Sequence, residues 1–159
     1  MEPCADWLGD ADRIASLGRR LAGAGVPADR LALYRRTLHP GVLARATAWA
    51  PDRPVEIFDR EHGLDLSAGF VGSPLDAAMA GGGAVTLAAG EIDRAGWGWG
   101  TPLRGFSLGA IRITPLRASA ALAVGTRRPG GFTDADLVLI AKLADGLAKG
   151  AKRSRGFSQ

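Results

Sequence analysis

Cysteine is nearly absent from this sequence of 159 residues, in which Cys4 is the single example. One thiol excludes an internal disulfide, a CxxC redox pair and a zinc site built from cysteines. Histidine is almost as scarce: His39 and His62 are the two present, and neither has a histidine or cysteine at metal-ligand spacing. The sequence therefore predicts no metal centre and no chemistry that depends on cysteine.

Long hydrophobic runs are also missing. No apolar run approaches the ~18 residues that a membrane-spanning helix needs, and the N-terminus does not have the pattern of a signal peptide. We therefore expect a cytoplasmic protein with no membrane partner. Hydrophobic residues make up 47% of the chain and charged residues 23%, an ordinary composition for one globular domain of this length.

Negative charge is sparse in the second half of the chain. Residues 1–80 carry 9 arginines against 11 acidic residues, whereas residues 81–159 carry 11 basic against 5 acidic residues. Much of the positive excess lies close to the C-terminus, where basic side chains interact favourably with a helix dipole. Interleaved aromatic residues and a nucleic-acid-reading motif are both missing there, so the sequence argues against nucleic acid as a partner.

Complete motifs for covalent or phosphoryl chemistry are missing as well. Ser73 and Ser119 do not lie in a G-x-S-x-G sequence. Ser107 has that spacing, between Gly105 and Gly109, but no Ser-His-Asp ordering supports a nucleophile there. The glycines at 81–83 are not followed by the Lys-Ser/Thr of a phosphate-binding P-loop. We therefore predict that the chain is not an enzyme.

Hydrophobic spacing predicts helices at about 7–24, 73–80 and 133–150. In the first, Ile14, Leu17 and Leu21 share one apolar stripe, and Asp10 and Arg13 lie outside it. Ser73-Pro74 is a typical helix start, with a capping serine and a proline at the first position. Alternating or apolar stretches between turn residues predict strands at about 31–38, 42–49, 55–58, 84–88, 110–116 and 119–126.

Residues 126–148 give the clearest local pattern. Pro129 presets its own φ, and Gly130 and Gly131 allow positive φ, so these residues predict a tight turn. Thr133 is then an N-cap, with Asp136 as the short partner of a capping box. The order of elements predicts an α+β fold: a central, mainly antiparallel sheet of five to six strands, with the N- and C-terminal helices on one face and the irregular middle of the chain on the other.

Several segments of the sequence resemble known sensory domains. GAF and PAS domains are built in this element order, and the closing F-T-D-x-D-L-x-L-I resembles the end of GAF domains specifically. A larger set of sequence segments, taken together, also resembles the GAF-like region ahead of the catalytic domain in some proteobacterial class III adenylate cyclases. These segments are Trp7, residues 24–30, Arg35-Arg36-Thr37-Leu38-His39-Pro40, Trp49, Ser73-Pro74 and residues 127–132.

The resemblance implies a domain plan and a bacterial signal-transduction role. Residues 7–150 would form the GAF-like domain, after a disordered N-terminus (1–6) and before a basic tail (151–159). The cyclase catalytic domain has no counterpart in the 11 residues after Ala148, so we expect a stand-alone domain without cyclase activity. The Trp97–Thr101 segment also departs from the Leu-rich stretch that the resemblance implies there.

A small-molecule pocket between the sheet and residues 59–109 is the site that the resemblance implies. Arg36 and His39, at a strand end, are candidates to bind an anion, and His39 is also a candidate haem ligand. A structural histidine that bonds a loop carbonyl is the alternative for His39, and haem is not favoured, because it also requires an apolar slot and an open iron position. The cofactor stays open. Aromatic candidates for the pocket are Trp49, Phe70, Trp97, Trp99 and Phe106.

Alternatives remain for these aromatic residues and for the function. Core packing explains Trp49 equally well, and Trp97 and Trp99 fit either a pocket lid or an exposed patch for a partner. We expect a sensory or regulatory domain that binds a small molecule and signals through a homodimer formed by its terminal helices. The alternative is a ligand-free adaptor that pairs with an adenylate cyclase or another signalling protein.

Overall fold

The computed structural model describes the chain in separate stretches and most of their side chains. The stretches are residues 3–36, 44–60, 77–78, 82–88, 106–116 and 120–157. Side chains are described within residues 9–35, 45–58, 77–78, 82–88, 106–116 and 120–147. The elements are α1 (Pro3–Gly23), β1 (Arg30–Arg36), β2 (Ala44–Ala50), β3 (Arg53–Arg60), β4 (Val85–Ala88), β5 (Ala110–Leu116), β6 (Ala120–Thr126) and α2 (Asp134–Phe157).

The six strands form one antiparallel sheet in the order β3-β2-β1-β6-β5-β4. β1 lies in the middle because it pairs with β2 on one side and with β6 on the other. Leu33 of β1, for example, lies opposite both Thr47 of β2 and Leu122 of β6. The α+β fold with a mainly antiparallel sheet, predicted from the sequence, is confirmed.

Side chains alternate between two buried faces of the sheet. Along β1, Leu31 and Leu33 belong to one buried cluster, and Ala32 and Tyr34 belong to the other. This alternation follows from the two-residue period of a strand, and burial of both faces requires a layer of chain on each side. The first cluster includes residues from both helices, so the terminal helices cover one face, as predicted. These residues are Ile14, Leu17, Leu21, Ile140 and Ala144.

The opposite face is lined mainly by alanines. Those of the strands are all buried, and they pack with residues from the middle of the chain: Ala32, Ala46, Ala48, Ala50, Ala121 and Ala123 with Ala78, Leu87 and Phe106. Ala77 and Ala78 are helical and are the described part of the helix predicted at 73–80. The remainder of that helix lies outside the described residues.

Gly18 of α1 allows the helix to approach β2 closely. A Cβ atom added at Gly18 would lie 2.5 Å from two ring atoms of Trp49, far inside van der Waals contact. Trp49 is itself buried in the helix-side cluster. Glycine is therefore required at this contact by packing, not by backbone conformation.

No helix in the described stretches combines the length and the apolar character needed to cross a bilayer.

Several element boundaries differ from the sequence predictions, and three of these differences have a simple physical reason. α1 begins at Pro3 instead of residue 7, within the segment predicted to be disordered, because proline suits the first turn of a helix. β3 begins at Arg53 and includes Pro54, which an edge strand tolerates because its outer N–H needs no partner. α2 continues to Phe157, through the predicted basic tail, where positive charge suits a helix C-terminus.

Asp10 departs from the predicted faces of α1. The sequence placed Asp10 outside the apolar stripe, yet the residue is 2% exposed. Its carboxylate accepts hydrogen bonds from Arg35 of β1, from Nε at 2.6 Å and from Nη2 at 3.1 Å. It accepts another from Arg13 Nη1 at 3.1 Å. Burial of this charge is tolerated because it is paired, and the pair ties α1 to the sheet.

Candidate functional site

The candidate site lies at the end of the sheet where β1 begins and where β2 and β6 end. Antiparallel pairing brings these ends together: Arg30 lies opposite Gly125, and Ala50 lies opposite Arg53 across the β2–β3 turn. Asp29 is fixed beside β6 because its N–H donates to the Gly125 carbonyl at 2.9 Å. Charged residues at strand ends that are distant in sequence therefore become neighbours.

Phe106 is the centre of the site. It is buried, and the guanidinium carbons of Arg30 and Arg53 lie 4.3 and 4.9 Å from its ring centroid. A third guanidinium, that of Arg127, lies 6.0 Å from the same centroid. Cations over an aromatic face are attracted by its quadrupole, so the ring holds these side chains in place. The following residue, Ser107, has φ 54°, which is uncommon outside glycine and marks a constrained turn at the site.

Arg30 is the deepest charge in the site, with 1% of its side chain exposed. Its Nη2 donates to Glu56 Oε1 of β3 at 2.9 Å. Burial lowers the pKa of the Arg30 guanidinium, and the hydrogen bond and charge of Glu56 oppose that change. The neighbouring Arg53 lowers this pKa further. Arg30 thus makes the inner wall of the site and stays charged through its pair with Glu56.

Arg127 joins the strand ends to Phe106. Its backbone N–H donates to Asp29 Oδ2 at 2.7 Å, and its side-chain Nε donates to the Phe106 carbonyl at 2.7 Å. The residue is otherwise exposed. Arg127 is therefore held at its backbone and at Nε, while its outer guanidinium faces solvent.

The turn after Arg127 leads directly into α2 and matches the sequence prediction. Gly130 and Gly131 both have positive φ, 85° and 72°, and Arg128 Nε donates to the Gly131 carbonyl at 2.7 Å. Asp136 completes the capping box: its Oδ2 accepts from Thr133 N at 2.9 Å, and its own N–H donates to Thr133 Oγ1 at 3.1 Å. Arg128 also forms an ion pair with Asp136.

The pKa of Asp136 reflects this capping box. Burial alone raises it, but the backbone hydrogen bond from Thr133 and the Arg128 guanidinium outweigh burial, so the net pKa is lowered. The start of α2 is therefore tied to Arg128, the residue that follows Arg127.

A cleft of about 330 Å³ opens beside Phe106. Its lining contains two carboxylates, two guanidiniums and the aromatic ring: Asp29, Ala50, Pro51, Asp52, Arg53, Phe106 and Arg127. This volume is at the lower end of the range for small-molecule sites, about 300–1,000 Å³. The cleft is a polar recess of metabolite size, with charges of both signs.

A second recess, of about 360 Å³, lies between the two terminal helices. The residues from α1 that line this groove are mainly polar, and those from α2 are mainly apolar. They are Asp12, Arg13, Ser16, Leu17 and Arg20 of α1, and Leu143, Gly146 and Leu147 of α2. On α2, Val138 is 65% exposed. The helix pair thus presents both a groove and an exposed apolar residue.

The structure separates two of the predicted pocket residues. Trp49 packs beneath α1 in the helix-side cluster, whereas Phe106 lies in the cluster on the other face and lines the cleft. Arg36 ends β1, and its side chain is outside the described residues, as are His39, Phe70, Trp97 and Trp99. His62 lies outside them too. The structure therefore describes Phe106 in a cleft and Trp49 in the core.

Four charged residues of the cleft were missed by the sequence prediction: Asp29, Asp52, Arg53 and Arg127. In the sequence, these four residues share one feature: each lies beside a predicted turn or strand end. Only the order of the strands in the sheet shows that these ends lie close together. Within the described part of the chain, no three His, Cys, Asp or Glu side chains are grouped as metal ligands.

Comparison with solved structures decides the fold. The GAF domain of a two-component sensor histidine kinase from Bacillus halodurans superimposes with a TM-score of 0.66 over 93% of this chain and 97% of that one, at 14% sequence identity. The chain has the GAF-domain fold. A second GAF domain, from Thermosynechococcus elongatus PixJ in its blue-light absorbing form, gives a TM-score of 0.59 over 98% of this chain and 92% of that one, also at 14% identity.

No protein-family model and no curated protein matches the sequence. The likeness to GAF domains therefore extends to the fold alone. In this GAF-fold domain the cleft beside Phe106 lies at the end of the sheet, and the terminal helices lie together on one face.

Proposed function

We propose that this GAF-fold chain is a non-enzymatic sensory or regulatory domain that binds a small molecule beside Phe106 and signals through its terminal helices. One observation carries the proposal: Arg127 lines the cleft and immediately precedes the turn that starts α2. The names of the two similar solved domains, a sensor histidine kinase and a blue-light absorbing protein, support a sensory role. The cleft differs from the pocket expected between the sheet and residues 59–109. Of its lining residues Phe106 alone belongs to that segment, and the cleft lies where β1 begins, whereas Arg36 ends β1.

Signal transfer follows from the contacts of the turn. Arg127 is held by Asp29 and by the Phe106 carbonyl, and the next residue, Arg128, binds both Gly131 and Asp136 at the start of α2. A ligand that contacts the outer guanidinium of Arg127 would favour one arrangement of this turn over others. A ligand shifts a conformational equilibrium only by such differential contact.

Output through a homodimer is the second half of the proposal. α1 and α2 lie side by side, with a groove between them and Val138 exposed on α2. An exposed aliphatic residue on a helix is stabilised when a second copy covers it. Pairing of these helices with those of a second copy would bring that copy into contact with α2, so a change at the start of α2 would be transmitted to it.

Val138→Glu tests the dimer. We expect the native protein to have the molar mass of a dimer in size-exclusion chromatography with light scattering, and Val138→Glu to have that of a monomer, because the new charge would be buried at the interface. Ile57→Glu is the matched control, since Ile57 is also exposed, at 52%, but lies on the edge strand β3. It should leave the dimer intact. Ile140 is unsuitable for this test because it is buried in the core.

An adaptor that pairs with an adenylate cyclase or another signalling protein is the alternative function, and the exposed Val138 favours it as much as it favours a homodimer. A native protein that elutes as a monomer at every concentration would contradict the homodimer and favour the adaptor. Equal loss of the dimer in Val138→Glu and Ile57→Glu would contradict an interface on α2.

A further inference from the structure

The charges of the cleft are balanced in an unusual way. Two carboxylates, Asp29 and Asp52, and two guanidiniums, Arg53 and Arg127, line one recess of about 330 Å³. The third arginine of the site, Arg30, is matched by Glu56 and stays behind the ring of Phe106. The recess therefore has no net charge but offers both strong donors and strong acceptors.

We propose that the cleft binds a small zwitterion of the free α-amino acid class. The ligand's carboxylate would accept hydrogen bonds from Arg53 and Arg127, and its ammonium group would donate to Asp52 and to the outer oxygen of Asp29. This inference rests on the proposed function, because it names the chemical class of ligand for the same site.

Arg53 and Asp52 are placed for this role on the β2–β3 turn. Among the described residues neither forms an ion pair, and both are exposed. The guanidinium of Arg53 is oriented by its stacking 4.9 Å from the Phe106 centroid, so less side-chain freedom is lost when it binds a ligand. The acidic partner is its immediate neighbour in the chain. One turn thus supplies one group of each sign.

Arg127 and Asp29 also line the cleft and are already linked. The backbone N–H of Arg127 donates to Asp29 Oδ2, and Arg127 Nε donates to the Phe106 carbonyl, so both side chains are held in position. The remaining carboxylate oxygen and the outer guanidinium nitrogens are the groups left for a ligand. This pair, like Asp52 and Arg53, supplies one donor group and one acceptor group.

Ligands of a single charge fit this lining less well than a zwitterion. An anion between the arginines would also lie close to two carboxylates, and a cation beside the aspartates would lie close to two guanidiniums, so each attraction would be offset by a repulsion. A zwitterion can place each end against its complement. The small volume favours a single amino acid over a nucleotide.

Nuclear magnetic resonance titration tests the inference. Each standard α-amino acid is added separately to the ¹⁵N-labelled full chain, and the backbone amide signals of Asp52, Arg53 and Arg127 are followed. We expect at least one amino acid to shift these signals saturably. The same molecule without its amine, and the same molecule without its carboxylate, should each bind about tenfold more weakly or worse, because each removes charge-assisted hydrogen bonds.

Two variants and one control assign the binding to the cleft. Arg53→Gln and Asp52→Asn should each weaken binding about tenfold while leaving the rest of the spectrum in place, because both residues are exposed. Arg19→Gln, the same change at an exposed position on α1, should leave binding unchanged. If the other amide signals of a variant keep their native positions, that variant is folded.

Four outcomes would overturn the inference. Equal affinity for the analogue without an amine would make the cleft an anion site, and equal affinity for the analogue without a carboxylate would make it a cation site. If no amino acid binds while the purified protein carries another small molecule, the ligand class is wrong and the proposed sensory function survives. If no small molecule binds the protein at all, both fail.

Discussion

Gly18→Ala is expected to destabilise the protein by about 2 kcal/mol, although alanine is the better helix former. The added Cβ would lie 2.5 Å from Trp49 Cε3 and Cζ3. Trp49 is 8% exposed and enclosed by the helix-side core, so its ring cannot move aside without disturbing the packing of β2. Overpacking of this kind costs about 1–3 kcal/mol, with the larger values for contacts as close as this one. The gain of about 1 kcal/mol in helix propensity offsets only part of it.

Gly23→Ala provides the matched control in the same helix. A Cβ at Gly23 meets no atom within 4 Å, so the change should stabilise the protein by up to about 1 kcal/mol. Urea denaturation at fixed protein concentration measures both variants. In a Trp49→Leu background the ring is gone, so Gly18→Ala should become neutral or stabilising there. Equal stabilisation by Gly18→Ala and Gly23→Ala in the native background would contradict the close contact between α1 and β2.

Asp10→Ala is expected to cost about 3 kcal/mol, because it removes one member of a buried ion pair and leaves the other charged. The Asp10 side chain is 2% exposed, and that of its main partner Arg35 is 16% exposed. Both carboxylate oxygens are engaged, at 2.6 and 3.1 Å, and Arg13 adds a third contact. After the substitution Arg35 would remain beneath α1 with no carboxylate to balance it.

An exposed aspartate on the same helix provides the control that distinguishes loss of the buried ion pair from loss of a surface charge. Asp12→Ala, two residues away on the exposed side of α1, should change stability by less than about 0.5 kcal/mol. Replacing both partners, as Asp10→Leu with Arg35→Leu, should recover most of the loss, since an apolar pair of similar size often substitutes for a buried ion pair. An Asp10→Ala variant no less stable than Asp12→Ala would show that the pair contributes nothing.

The sequence predicted most accurately where the determinants are local. The positive φ of Gly130 and Gly131, the capping box of Thr133 and Asp136, and the β5–β6 hairpin all depend on residues a few positions apart. Apolar alternation then placed the strands within a few residues of their observed bounds. These signals establish the fold class because they agree with one another.

Long-range charge placement could not be predicted in the same way. Asp10 reads as a surface residue until Arg35, 25 positions later, is known to lie beneath it. The cleft is built from residues as far apart as Asp29 and Arg127, which are separated by 98 positions and meet only because β1 pairs with β6. The environment of Trp49 could not be predicted for a similar reason. The alternation of residues along β2 assigns Trp49 to one face of the sheet, but the close packing of that face against α1 depends on Gly18, which is distant in sequence.

Native mass spectrometry of the purified protein tests directly whether this GAF-fold domain binds a small molecule at the site beside Phe106. We expect a species heavier than the bare chain by the mass of a small molecule, either as purified or after incubation with amino acids. Denaturation should release the bound molecule, and Arg53→Gln should reduce the bound fraction. A bare-chain mass under all of these conditions would show that the domain binds no small molecule.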